Sequence, residues 1–129
     1  MKKLVLIFVF LIAPAVSAIA QTKVTFNINL KPMLLDSTFI PGQEFLEVKG
    51  DLRPFTRTTS FQMTDEAPID SVYSVTIEFP RRYNGQILTY NYVIKSLVHK
   101  ERNEFLPRTL ELKGQEIIDP PYYFDSFPN

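Results

Sequence analysis

Residues 24–30 read Val-Thr-Phe-Asn-Ile-Asn-Leu, with an apolar side chain at every second position. Successive side chains of a strand point to opposite faces, so Val24, Phe26, Ile28 and Leu30 line one face and Thr25, Asn27 and Asn29 the other. Residues 72–79 repeat the pattern, with Tyr73, Val75, Ile77 and Phe79 inward, Ser74, Thr76 and Glu78 outward, and Pro80 stopping the ladder. Two segments of period two are two half-buried strands, and each needs another layer to cover its apolar face.

The rest of the chain supplies that layer. Residues 87–95 follow the turn signal Asn84-Gly85, and their β-branched and aromatic content favours a strand over a helix. Leu88, Tyr90, Tyr92 and Ile94 share one face there, with Thr89, Asn91 and Val93 on the other. Shorter strands are expected at 44–49, entered after Pro41-Gly42, and at 108–112, with Leu110 and Leu112 inward; residues 59–63 add an edge strand. No window of eleven or more residues beyond position 20 places apolar residues at i, i+3, i+4 and i+7 without a Gly or Pro, so no helix is expected. The predicted fold is all-β, an antiparallel sandwich of two sheets.

Ahead of the strands, Lys2 and Lys3 precede an unbroken apolar run from Leu4 to Ala13 and then Ala18-Ile19-Ala20. That is the pattern of a secretory leader, and a helix of about ten residues covers only about half of a bilayer core. Three segments are expected: a signal peptide over 1–20, a sandwich domain over 21–118, and a proline-broken aromatic tail over 119–129. Export to the periplasm or beyond follows, as a soluble protein. With no cysteine in the chain, a lipoprotein is excluded.

The full chain balances 14 basic against 14 acidic residues, and losing the leader leaves 12 against 14. Such a balance argues against nucleic acid as a partner. One histidine and no cysteine exclude thiol catalysis and multi-imidazole or thiolate zinc sites. His99 has no evident acidic partner and stands in no Gly-x-Ser-x-Gly elbow. Asp65, Glu66 and Asp70 lack the spacing of a calcium loop. No catalytic residue, metal ligand or cofactor is assigned.

The ordered segments together resemble the starch-binding domain family, the family 20 carbohydrate-binding modules. They are Val24-Thr-Phe-Asn-Ile-Asn, Phe45-Leu-Glu-Val-Lys-Gly50-Asp, Gln62-Met-Thr-Asp65, Asp70 through Pro80, Gly85 through Ile94, and Glu104-Phe-Leu-Pro-Arg-Thr-Leu-Glu-Leu112. The resemblance implies an immunoglobulin-like sandwich that binds α-glucan by laying sugar faces on exposed aromatic rings and hydrogen-bonding the hydroxyls at the edge. The family's stacking tryptophans have no counterpart, since the chain has no Trp. Phe55, five residues past Gly50, stands nearest the first, and Asn91 occupies the family's lysine position between Tyr90 and Tyr92. Glu104 matches the family's glutamate, and Phe105 is an aromatic offset from the second Trp.

Those residues, with Tyr83 beside Arg81 and Arg82, are the candidate carbohydrate-binding set. Each has a plainer reading: Phe55 tucked over the end of the sandwich, Tyr83 at a hairpin tip, Glu104 in a surface ion pair with Arg108 worth at most about 1 kcal/mol. The aromatic tail (Tyr122, Tyr123, Phe124, Phe127) either offers a binding strip or folds back over a sheet edge. Two functions are expected from this set. One is an exported, non-catalytic module that binds an α-glucan polysaccharide; the other keeps the fold without the sugar site and engages a protein of the cell envelope.

Overall fold

The computed structural model describes residues 21–57 and 60–126. The expected leader over 1–20 lies outside them, as does Phe127. Among the described residues, nine strands, one helical turn and one 3-10 turn follow in order: β1 (Thr22–Asn29), α1 (Lys31–Leu35), β2 (Glu44–Gly50), β3 (Phe61–Met63), β4 (Val72–Phe79), the 3-10 turn (Arg81–Tyr83), β5 (Ile87–Ser96), β6 (Arg102–Asn103), β7 (Arg108–Glu111), β8 (Glu116–Ile118) and β9 (Tyr122–Tyr123). They form the two packed sheets of an all-β sandwich. In the first sheet β1 lies between β4 and the pair β8 and β9; in the second the order is β3-β2-β5, with β6 and β7 along the far edge of β5.

The alternation of period two sorts as expected. Val24, Phe26 and Ile28 of β1 are fully buried, as are Leu88, Tyr92 and Ile94 of β5, and they share one core with Leu46, Val48, Ile77 and Phe79. Edge-on aromatic pairs join the layers, Phe26 lying 5.1 Å from Tyr90 and 5.9 Å from Phe55 between ring centres. Pro41-Gly42 makes the turn into β2: the Gln43 N–H donates to the Ile40 carbonyl, and Gly42 takes a φ of 89°.

Four features depart from the sequence reading. Residues 31–35 form one helical turn, too short to show a helical period; Pro32 suits its start, and Met33 and Leu34 pack against the core. The Asn84-Gly85 turn is not a hairpin tip. β4 and β5 belong to different sheets, and the turn carries the chain from one to the other. Val93 faces outward yet is fully buried, because the register sets it between Glu47 and Asn103 on a face crossed by the ion pairs Lys95–Glu47 (3.2 Å) and Lys49–Glu101 (3.6 Å). Long paired side chains cover apolar surface with their stems.

The fourth departure is the tail, which contains strand. β8 and β9 both run parallel to β1, so the sheet is not antiparallel throughout. Thr25 faces Ile118 while Ile28 faces Tyr122, so four tail residues span three of β1. The extra residue falls at Pro120-Pro121, which have no N–H to give a ladder.

Candidate functional site

The sandwich is closed along one side, where Thr64, just past β3, and Ser74 of β4 exchange backbone hydrogen bonds. On the opposite side β6 and β7 stand at the edge of one sheet and β8 and β9 at the edge of the other. The inward tyrosines of β5 reach this flank, and the hydroxyls of Tyr90 and Tyr92 both donate to Asp119 Oδ2, each at 3.1 Å. The Asp119 N–H in turn donates to the Thr25 carbonyl, and Asn27 Nδ2 to the Asp119 carbonyl. Asp119 therefore ties the tail to both sheets. Its burial raises its carboxyl pKa above the usual 3.8, against the lowering effect of the two tyrosine hydroxyls. Tyr92 is pushed up chiefly by its own burial, with the Asp119 charge adding to the effect.

Beside Asp119 lies the Glu104–Arg108 pair. Arg108 Nε and Nη2 donate to the two Glu104 oxygens at 2.9 and 2.7 Å, and the side chains are 6% and 0% exposed for Arg108 and Glu104. The surface ion pair expected from the sequence is therefore a buried, two-pronged one. Both partners also hold the tail. Glu104 accepts from the backbone N–H of Tyr92 and of Asp125, while Arg108 donates to the carbonyls of Ser126 (2.8 Å) and Tyr123 (3.4 Å). The Arg108 guanidinium also lies over the rings of Tyr92 and Tyr122, at 5.2 and 5.9 Å.

Two shallow hollows border this bracket. One, of about 410 Å³, is lined by Tyr90, Leu106, Pro107, Thr109, Pro120 and Tyr122 among others; the second, of about 470 Å³, takes in Met33, Phe105 and Phe124. The loop between β6 and β7 separates them and is anchored by the Phe105 N–H donating to Asp125 Oδ1. Its tip leaves Phe105 88% and Leu106 58% exposed.

The five residues singled out by sequence do not meet. Phe55 is 2% exposed, its ring edge-on to Phe26 and Phe61 and tilted on Phe79, so it plugs one end of the sandwich and offers no face to a sugar. Gly50 accommodates it: any Cβ there would collide with the Phe55 ring. Asn91 stands on the outer face of the second sheet opposite Lys49, and Tyr83 sits in the turn between the sheets. Glu104 is occupied as described, which leaves Phe105 as its exposed neighbour. Sequence reasoning missed Asp119 and the clamping role of Arg108; an acid directly before Pro-Pro, at the end of an apolar pair, was the signal available.

Among the described residues, no group of three or more His, Asp and Glu side chains gathers as a metal site would require, and no helix is long and apolar enough to cross a membrane. No family model matches the chain, and no curated protein matches it.

Proposed function

We propose that this chain is an exported, non-catalytic binding module that docks a protein of the cell envelope on the flank formed by the β6–β7 loop and the C-terminal strands. The observation that carries the reading is the exposure of Phe105 and Leu106 at the rims of two hollows. Large apolar side chains that reach past the surface beside shallow depressions are what protein interfaces use as anchors. A sugar needs free hydrogen-bonding groups beside its stacking ring, and here Glu104, Arg108 and Asp119 are already engaged with the protein itself.

The resemblance to starch-binding modules favours a second reading, a weak α-glucan site, and Phe105 is the aromatic that supports it. Its ring is free to stack, and one ring with few polar partners gives millimolar-range affinity, about −4 kcal/mol. A photo-crosslinking side chain placed at Phe105 in the exporting cell tests the first reading. A discrete protein adduct is expected there and none from the same group at Thr76 on the opposite sheet. Retention on insoluble amylose, lost in Phe105→Ala, would instead carry the sugar reading. Neither adduct nor retention would remove both.

A further inference from the structure

The chain has six arginines, and four of them, Arg53, Arg57, Arg81 and Arg82, lie in two loops at the end of the sandwich where β2 and β4 stop and β1 and β5 begin. All four are exposed, and among the described residues none of the four is in an ion pair, whereas Arg102 and Arg108 each bind a carboxylate. The loops are neighbours. Phe55 of the first packs on Phe79 at the root of the second, and Arg82 lies 5.1 Å from the Tyr83 ring centre. The Tyr83 hydroxyl is held below its usual pKa, first by a hydrogen bond from the Arg82 side chain and also by the backbone and charge of Arg53.

Acidic groups do not offset this end. Asp51 is the acid in these loops, and its carboxylate accepts from the Thr89 N–H; Glu111 faces Lys113 at 3.9 Å. Of the acids outside ion pairs, Asp36, Asp65, Glu66 and Asp70 lie in the loops of the opposite end, while Glu116 stands near this one, beside Lys23 at the start of β1. Counting Lys23 and Lys113, six cations at this end stand against four acids, Asp51, Glu78, Glu111 and Glu116, and leave it cationic.

We propose that the loops Asp51–Arg57 and Pro80–Gln86 form a binding surface for an acidic polysaccharide, whose carboxylate or sulfate groups the four guanidiniums engage. Guanidinium is a two-pronged donor that suits both anions. Four exposed charges spread over two loops suit a polymer with repeated anionic groups better than one small ion, and the exposed Thr56 and Gln86 beside them offer hydrogen bonds to hydroxyls. The other polyanionic partners fit less well. The loops themselves expose no large apolar side chain, Phe55 being buried and Leu52 and Tyr83 partly so; Ile87 at the start of β5 is exposed beside them, and one such side chain is little apolar area with which to enter a lipid surface or anchor a protein. A second copy of the chain would have to bring its acidic end, where Asp36, Asp65, Glu66 and Asp70 already accept hydrogen bonds from their own loops.

None of these residues lies on the β6–β7 flank, so the proposal stands or falls separately from the function proposed above. Affinity electrophoresis of the mature chain through gels containing polygalacturonate, dextran sulfate or neutral dextran tests it. Retardation is expected in the two acidic polymers and not in the neutral one, weakening with added salt. Arg81→Gln/Arg82→Gln and Arg53→Gln/Arg57→Gln should each weaken it about tenfold, a change of about 1.4 kcal/mol, while Lys31→Gln/Lys100→Gln at the other end leaves it unchanged. Unaltered melting curves will show that the variants fold. Equal retardation in neutral dextran, no loss in the arginine variants, or tighter binding to phosphatidylglycerol vesicles, to oligothymidine or to a second copy of the chain would overturn the proposal.

Discussion

Phe55 and Phe105 are the same side chain in opposite settings, and the pair shows what burial does to a residue's role. Phe55 fills the end of the sandwich against three other rings, so Phe55→Ala leaves a cavity as well as losing transfer energy, and should cost about 3–5 kcal/mol in urea unfolding. Gly50→Ala forces a methyl group into the Phe55 ring and should cost roughly 1–3 kcal/mol by the same measurement. Phe105→Ala touches neither core nor backbone ladder; its unfolding midpoint should stay within about 0.5 kcal/mol of the parent. A loop residue between a proline and a threonine has no periodicity to say which way it points. Sequence therefore placed Phe55 near the correct end of the molecule and left its direction open.

At the scale of the element, the bracket around the tail gives two expectations. Removing one partner of the Glu104–Arg108 pair strands a buried charge, so Glu104→Gln should cost about 3–5 kcal/mol, well above the surface-pair figure that the sequence suggested. Asp119 predicts a pH effect. Its folded-state pKa lies above the ordinary 3.8, so the folded protein holds that proton more tightly than the unfolded chain does. The stabilisation is fully present below about 3.8 and is lost as pH rises through the folded value. Asp119→Asn keeps an oxygen for the two tyrosine hydroxyls and has no proton to lose. Urea midpoints measured on both chains from pH 3.5 upward should therefore show the variant gaining on the parent as pH rises; a constant difference would remove Asp119 as the titrating group.

At the scale of the whole molecule, the tail belongs to the sandwich. Truncation after Ile118 takes away the acceptor for Tyr90 and Tyr92 and two carbonyl partners of Arg108, and unsatisfied buried groups cost about 1–3 kcal/mol each. A single cooperative transition at a clearly lower urea midpoint is expected. An unchanged midpoint would mean the segment is an appendage, the first of the two readings that the sequence left open for residues 119–129. Loss of partner capture in that truncation would not distinguish docking from unfolding, whereas Phe105 and Leu106 can be changed without disturbing the core.

The strands were legible because each carries its own record. Val24 to Leu30 and Val72 to Phe79 alternate strictly, a strand's side chains must alternate, and burial of one face follows from that geometry alone. With no cysteine to staple it, the fold was expected to be held by its core. Which loop residues turn inward, whether Glu104 meets Arg108 in water or in the interior, and that Glu116 to Tyr123 returns to lie parallel to β1 were decided by tertiary structure. Each depends on what stands across a gap of many residues. Alternation is a local property of the chain, but burial of a particular ring or ion pair exists only once two distant segments have closed over it.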